Sequence, residues 1–491
     1  MKLKLYILLV MLLGAHGHAS IGPSLCDLVG ELESFPVEQN GRVKPLYVHA
    51  CESLKYLTGK SNPLKTSCVQ TYCELSTLAM PTSTFDAGTF KTQITHIEVS
   101  KLLGLKGKVS FAKLLGLRER VRTALMRSKK ENSYKKALQK LWGKLGFYES
   151  ITMGQDWMFY HKGQWVNLNS FASLEKTIQE SARDYQKKFG VAHLTELRFS
   201  KSHLTYWALF LALISLTLLT IFFKRPIFGI GFAFATFLVQ VAVIYFRIRI
   251  SGRAPVTNMY ETVLFSGMGA LILSLILGHL KNRPMMVIAG LFYDILCLFM
   301  MNFAGTMLNS SIGPLVPVLR DNFWLSTHVT CVILSYGALA ISWILANTVL
   351  LKKYLGKMKK SDEKEYSDMI YSCVKLGAVL LAIGIILGGV WADYSWGRFW
   401  GWDPKETWSL IVFCLYIAIC HGKYTQWIPP RRFNWVVAGA FMSVMMAWFG
   451  VNYILASGLH SYGFSQGGAI FLLSFFTVQS LFLALTYKST K

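Results

Sequence analysis

Long apolar runs fill the second part of the chain, whereas the first part is polar and basic. Three of these runs, at residues 204–223, 227–246 and 329–351, contain no charged residue. A bilayer core about 30 Å thick needs a helix of roughly 20 apolar residues. The pattern therefore predicts an all-α polytopic membrane protein with nine spans near residues 204–223, 227–247, 260–280, 284–304, 325–352, 369–390, 404–424, 435–456 and 468–487.

The chain begins with a targeting pattern that leads into a long polar stretch. Two lysines precede a short apolar core, and small residues follow it. This order is typical of a signal peptide or a short N-terminal anchor over residues 1–20. We predict a hydrophilic exported domain over residues 21–203, followed by a multispan membrane domain over residues 204–491.

Apolar residues recur at helical spacing within the basic stretch 111–145, for example at Leu114, Leu115, Val121 and Leu125. This spacing predicts helical structure with one apolar face. Two interpretations remain open for that face. It packs on the core of its own domain, or it binds a partner or anionic lipid headgroups.

The formal net charge of +25 is explained by membrane topology. Lys and Arg accumulate in cytoplasmic loops, and here they gather at residues 224–225, 281–283, 352–364 and 431–432 if residue 203 lies outside. The signal peptide independently exports residue 203. We therefore predict a multi-pass protein of the inner (cytoplasmic) membrane with its polar domain on the periplasmic side, and no nucleic-acid partner.

The nine cysteines form no CxxC pair, which argues against zinc or thioredoxin-like chemistry. Four of them, Cys26, Cys51, Cys68 and Cys73, precede the first span. In an exported region Cys68 and Cys73 could form a disulfide with each other.

The segment between the sixth and seventh spans, residues 391–408, is rich in tryptophan and lies outside in this topology. It holds five of the chain's 14 tryptophans. Tryptophan prefers the membrane interface, but one or two per helix end satisfy that preference. Broad aromatic faces suit a flat apolar ligand such as a porphyrin. We expect Trp396, Trp400 and Trp402 to form such a platform.

Small and charged residues within this segment predict its backbone shape. Gly397 and Gly401 allow a turn or a close approach of the backbone to a ligand. Asp403 suits a helix N-cap, Pro404 the first helical position and Glu406 the third, which resembles a capping box at the start of the seventh span. We therefore expect Asp403 and Glu406 to be structural.

Imidazole and basic groups on the same side supply candidate ligand contacts. His328 near the start of the fifth span and His460 after the eighth both emerge beside the Trp-rich segment. Two imidazoles can fill both axial positions of heme iron. Arg398 and Lys405 could pair with heme propionates or anchor the interface. His421 lies about 25 Å down the seventh span and cannot share the outer site.

These residues resemble the CcsA family of cytochrome c biogenesis proteins, which carry a Trp-rich "WWD" signature. The resemblance rests on residues 396–408, on the flanking His328 and His460, and on residues 255–261, Pro-Val-Thr-Asn-Met-Tyr-Glu. It implies that heme b binds at the outer site, where His328 and His460 ligate the iron and the Trp-rich segment holds the ring. It also implies that His421 contributes to an inner heme site.

The resemblance further implies a function in cytochrome c assembly. Heme would be bound, delivered across the membrane and presented for covalent attachment to the CXXCH motif of apocytochrome c. The implied partners are apocytochrome c, a CcsB/ResB-like membrane subunit and thiol-reducing proteins. The chain would be the heme-holding subunit of a cytochrome c synthase, which acts by positioning its reactants.

Two other functions compete with this interpretation. A membrane redox protein of the cytochrome b type also uses paired histidines, but within the bilayer on facing helices. A heme exporter without ligation activity would commonly show inverted repeats and broken helices, and no convincing internal repeat is present. The related heme-handling subunits of the other bacterial assembly system fit less well, because residues 255–261 and the spacing of the histidines favour CcsA.

Overall fold

The computed structural model describes residue 26 and residues 29–79, 85–128, 133–168, 174–305, 307–313, 321–455 and 467–490. The predicted signal peptide and His460 lie outside the described residues. By its contacts the chain divides into two compact units, unit 1 over Met1–Leu197 and unit 2 over Arg198–Lys491.

Unit 1 contains two small antiparallel sheets. The larger sheet has the order β2-β1-β5-β6, and the smaller pairs β3 with β4. Two-residue turns at residues 40–41 and 162–163 close the β1–β2 and β5–β6 hairpins, and all four turn residues have positive φ, as mirror-image hairpin turns require. The strands are β1 Pro36–Gln39, β2 Arg42–Pro45, β3 Lys91–Ile94, β4 Gly107–Ser110, β5 Met158–His161 and β6 Gln164–Asn167.

Helices surround these sheets and supply most of the unit 1 core. The basic stretch 111–145 enters three separate helices, because Gly116 ends the first of them and α6 ends at Arg127. Leu114 and Val121 are fully buried in the core of unit 1, so the apolar face packs on its own domain. The helices are α1 Val29–Leu32, α2 Leu46–Thr58, α3 Cys68–Ser76, α4 Ile97–Leu103, α5 Phe111–Leu115, α6 Arg118–Arg127, α7 Ser133–Thr152, α8 Leu174–Phe189 and α9 Leu194–Ser202.

Two disulfides tie the N-terminal helices together, and they correct the predicted pairing. Cys26 bonds to Cys73 and Cys51 bonds to Cys68, with Cα atoms 5.6 Å and 5.1 Å apart. Cys68 and Cys73 both lie on α3, where a five-residue separation points the two side chains in different directions. Each therefore bonds to a cysteine from another segment.

Unit 2 is a bundle of helices. Within the described residues nine helices are long and apolar enough to cross a membrane, which confirms the predicted all-α polytopic fold. The eighth continues from α17 into a π-helix, Met446–Leu455. The helices are α10 Leu204–Ile221, α11 Ile227–Ser251, α12 Met259–Leu280, α13 Pro284–Phe303, α14 Asn322–Tyr354, α15 Lys360–Trp396, α16 Pro404–Tyr424, α17 Pro430–Met445 and α18 Gly468–Thr486.

Buried polar contacts fix helices of this bundle against one another. Arg247 on α11 and Glu261 on α12 form an almost fully buried ion pair with a distance of 2.6 Å between Nη2 and Oε1. Deeper in the bundle, Gln240 Nε2 donates to Asp294 Oδ1 at 2.6 Å, which joins α11 to α13. Charged groups within spans are costly unless paired, so these contacts specify helix register.

Candidate functional site

A cavity lies at one end of the unit 2 bundle, where five chain segments meet. Its walls come from residues 256–262, α14, the last turns of α15, the loop with the start of α16, and the π-helix. It contains ≈ 1220 Å³ of space outside the protein atoms, its open mouth included. Most of the lining is apolar or aromatic, and a few polar groups interrupt it, as is typical of small-molecule sites.

His328, a predicted axial ligand, lies in the wall of this cavity in the second turn of α14. Its Nδ1 atom is 2.8 Å from the carbonyl oxygen of Gly384 on α15. A carbonyl only accepts, so Nδ1 carries the proton and the lone pair of the neutral ring is on Nε2. The ring of Trp391 meets the imidazole edge-on, with centroids 5.8 Å apart.

Gly388 provides the space for this imidazole. A Cβ atom at Gly388 would lie 2.6 Å from Cε1 of His328. One turn of α15 therefore both accepts the hydrogen bond of the imidazole and leaves room for its ring. Sequence reasoning missed Gly388, because nothing in the sequence shows which face of α15 meets α14.

The Trp-rich segment is shorter as a loop than predicted. Helix α15 continues through Trp396, and α16 begins at Pro404, so only residues 397–403 are a loop. Gly397 ends α15 with φ of +68°, the left-handed conformation that glycine adopts at a helix C-terminus. The predicted turn at Gly397 is thus a helix cap.

The five tryptophans of this segment do not share one surface. Trp391 and Trp400 line the cavity, whereas Trp396 and Trp402 do not. Trp402 is 70% exposed and has φ of +56°, a conformation rare for residues other than glycine. Of the predicted platform of Trp396, Trp400 and Trp402, only Trp400 therefore lines the cavity. The sequence analysis did not single out Trp391, which also lines it.

The start of α16 has the capping box that its sequence resembles. The Asp403 carboxylate accepts from the backbone N–H groups of Lys405 and Glu406 at 2.9 Å and 3.2 Å. Glu406 Oε2 accepts from the backbone N–H groups of Gly401 and Asp403 at 2.7 Å and 3.3 Å. Asp403 is thus a helix cap, whereas Glu406 both caps the helix and lines the cavity.

The two nearby cations occupy different positions. The guanidinium of Arg398 lies over the backbone of Gly401, where a Cβ atom would overlap it. Lys405 lines the cavity and Arg398 does not. Of these two candidates for a carboxylate contact, only Lys405 therefore belongs to the cavity wall.

The segment before α12 is fixed by the buried ion pair of Arg247 and Glu261. Glu261 Oε2 accepts from Thr257 N and Oγ1 at 2.8 Å and 2.6 Å, and Arg247 donates to the carbonyl of Ser310 at 3.1 Å. These contacts fix the wall formed by residues 256–262. The signal for Arg247 in the sequence is a charged residue at the end of a long apolar run.

Three buried polar atoms in the cavity wall have no hydrogen-bond partner among the residues that the structure describes. They are Nε1 of Trp391, Nε1 of Trp400 and Oε1 of Glu406. The indole of Trp448 also lines the cavity, but its Nε1 atom is 3.3 Å from Thr262 Oγ1 and donates to it. Buried polar groups are normally paired, so these three unpaired atoms mark places where a bound molecule can contact the wall.

The remaining predicted histidines lie elsewhere. His421 is exposed near the C-terminal end of α16, 17 residues beyond Pro404, which corresponds to about 25 Å along the helix. It is therefore far from the cavity. His460 lies outside the described residues, so its predicted pairing with His328 stays a prediction. Among the residues that the structure describes, no group of three His, Cys, Asp or Glu side chains could hold a metal ion.

Among the described residues of unit 1, Tyr72, Asp156 and His49 form a buried polar cluster. Tyr72 OH donates to Asp156 Oδ2 at 2.8 Å, and His49 Nε2 lies 2.9 Å from both groups. Burial, and after it the Asp156 carboxylate, raises the pKa of Tyr72 well above its usual value. The cluster joins α2 and α3 to the residues before β5, which is a structural role.

The chain is similar to proteins of a known family, and the similarity covers the cavity. A family model described as cytochrome C assembly protein matches residues 256–460, a range that contains every cavity-lining residue. The cytochrome c biogenesis protein CcsA of Guillardia theta is 32% identical over 295 residues, which are 53% of this chain and 95% of that protein. CcsA of Chlamydomonas reinhardtii is 34% identical over 237 residues, 46% of this chain and 66% of that protein. Protein NrfI of Wolinella succinogenes is 36% identical over 227 residues, 44% of this chain and 24% of that protein.

Proposed function

Because the chain belongs to the CcsA family of cytochrome c biogenesis proteins and functions in cytochrome c assembly, we propose that its cavity binds heme b. Bound heme is presented there for covalent attachment to the CXXCH motif of apocytochrome c. The observation that carries this proposal is His328, an imidazole with its lone pair on Nε2, in the wall of an apolar and aromatic cavity.

The residues present fit heme as a cargo. Nε2 of His328 is the atom that would bind the iron, since Nδ1 is engaged with Gly384. Trp391, Trp400 and Phe399 provide aromatic surface for the ring. We assign the second axial position to His460. The Trp-rich segment contributes its tryptophans Trp391 and Trp400, whereas Trp396 and Trp402 do not line the cavity.

The attachment reaction mainly requires that the cysteine thiol and the heme vinyl group be held in position. Each cysteine thiol of the CXXCH motif adds its S–H across a vinyl C=C of heme, so that a C–S bond forms and the proton goes to the other vinyl carbon. The addition needs no net oxidant or reductant once thiols and iron are reduced. Holding the two reactants together is worth several kcal/mol of the barrier, of order 7–11 at best. The chain is then the heme-holding subunit of a synthase.

Delivery requires a second heme site and a partner. We assign the second site to His421, which is exposed on α16 far from the cavity. An exposed imidazole there is available to a CcsB/ResB-like subunit that supplies the other iron ligand. In this proposal unit 1 and the cavity face the periplasmic side of the inner membrane, and heme enters from the cytoplasmic side.

Two measurements on one expressed system test the proposal. The chain with its CcsB/ResB-like partner is produced in a host that lacks its own cytochrome c assembly, together with a reporter apocytochrome c. We expect b-type heme in the purified complex and covalent heme on the reporter. A complex without heme from heme-replete cells contradicts the heme site. Heme in the complex without reporter maturation favours the b-type redox protein or the heme exporter.

A further inference from the structure

Two of the unpaired atoms in the cavity wall are hydrogen-bond donors of the same kind. The indole N–H groups of Trp391 and Trp400 are buried and have no acceptor in the described part of the chain. A buried tryptophan normally donates its N–H, and a buried donor left unpaired destabilises the folded protein. Two such donors in one wall are explained if a bound molecule supplies the acceptors.

The charge around these donors indicates which acceptor fits. Lys405 lines the same cavity and brings a positive charge to its wall. Indole N–H groups and an ammonium group together match a carboxylate, which accepts several hydrogen bonds and forms stronger ones than a neutral oxygen. The Glu406 carboxylate lines the same wall and opposes the charge of Lys405, so the preference for a carboxylate rests mainly on the two indole N–H donors. Oε1 of Glu406 is itself an acceptor and takes no part in this contact.

We propose that Trp391 and Trp400 recognise the carboxylates of the porphyrin through their indole N–H groups, with Lys405 as the nearby cation. This inference rests on the proposed heme site and adds a role to it. The tryptophans select propionate-bearing porphyrins, and so fix which edge of the ring enters the wall, in addition to offering aromatic surface. The porphyrin has two propionates, so the donors meet one carboxylate together or one each.

Trp448 provides a matched control within the same cavity. Its indole also lines the wall, but its N–H already donates to Thr262 at 3.3 Å. Replacing any of the three tryptophans with phenylalanine keeps an aromatic ring and removes the N–H. Only at Trp391 and Trp400 does that substitution remove a donor that has no acceptor within the described residues.

The test compares iron protoporphyrin IX with its dimethyl ester, titrated into the purified full-length chain and followed by absorbance. We expect the wild-type chain to bind the diacid at least ~10-fold more tightly than the diester, since a hydrogen bond to a charged group contributes about 1.5–3 kcal/mol. W391F and W400F should each weaken diacid binding by several-fold and diester binding less, because an ester carbonyl is a neutral and weaker acceptor than a carboxylate, and so reduce the preference. W448F should keep the wild-type preference.

Each outcome bears on a different part of the proposal. Equal affinity of the wild-type chain for the diacid and the diester overturns carboxylate recognition while leaving the heme site intact. Equal weakening of both porphyrins by W391F and W400F assigns those tryptophans to ring packing alone and also overturns it. A chain that binds neither porphyrin fails the proposed heme site itself. Thermal unfolding shows whether each variant folds, and if one does not, the wild-type preference still decides.

Discussion

His328 and His421 lie at opposite ends of unit 2 and differ in burial and in hydrogen bonding. At the cavity end, His328 is half-buried, hydrogen-bonded to Gly384 and packed edge-on against Trp391. At the other end, His421 is exposed on α16, and in the part of the chain that the structure describes its imidazole has no hydrogen-bond partner. One imidazole is oriented by its own chain, whereas the other is presented on a surface.

This difference indicates where the chain depends on another protein. A metal-binding histidine is usually oriented by a hydrogen bond to its second nitrogen, and His328 has that bond within this chain. Among the described residues no such bond orients His421, so a site that uses His421 needs groups from elsewhere to orient the ring. We infer that unit 2 alone provides the proposed heme site at the cavity. The partner subunit completes the proposed site at His421.

The strongest test of this comparison replaces each histidine with alanine. On the proposed assignment His328→Ala removes an axial ligand of the heme iron, so we expect nearly complete loss of reporter cytochrome c maturation and an altered heme spectrum, with partial rescue by added imidazole. His421→Ala should instead lower the heme content of the complex with its partner. Normal maturation by His328→Ala would remove His328 from the proposed ligand set.

A smaller effect is expected when the orientation of His328 is disturbed without removing it. The Cβ atom introduced by Gly388→Ala would lie 2.6 Å from the imidazole, so the ring must shift. We expect reduced maturation and a heme spectrum intermediate between wild type and His328→Ala. Gly231→Ala is the control, because a Cβ atom at that helical glycine meets nothing within 4 Å. Equal behaviour of both variants would show that Gly388 does not position His328.

The smallest effect concerns the helix cap beside the cavity. Asp403→Ala removes the acceptor for two backbone N–H groups, which should lower the free energy of unfolding by about 1 kcal/mol. Asp403→Asn keeps a capping oxygen and should be closer to wild type. Thermal unfolding of the two purified variants measures the difference. A loss of bound heme from Asp403→Ala without a change in unfolding would instead indicate a direct role at the ligand.

Much of the membrane architecture could be predicted from the sequence, because lipid imposes a strict rule on it. Each span needs about 20 apolar residues, and the nine runs satisfy that length. The capping box could also be predicted from the sequence, because its residues Asp403, Pro404 and Glu406 lie within one helical turn. Both signals are local in the chain.

The features that depend on contacts between distant segments could not be predicted in the same way. The extension of α15 to Trp396 moves Trp391 into the cavity wall, although the predicted sixth span ended near residue 390. The bonds from Cys68 to Cys51 and from Cys73 to Cys26 depend on how α3 packs against other segments. Neither the extension of α15 nor the disulfide pairing is predicted by a local pattern of residues in the sequence.

The hydrogen bond from His328 to Gly384 also has an electronic consequence. A carboxylate partner makes a ligating imidazole more basic, whereas the backbone carbonyl that His328 meets at 2.8 Å is a neutral and weaker acceptor. A less basic axial ligand donates less electron density to iron and so stabilises iron(II) relative to iron(III). For heme held as proposed, the hydrogen bond to Gly384 would give the iron a higher reduction potential than a carboxylate partner of His328 would. It would thereby favour the reduced iron that thioether formation needs.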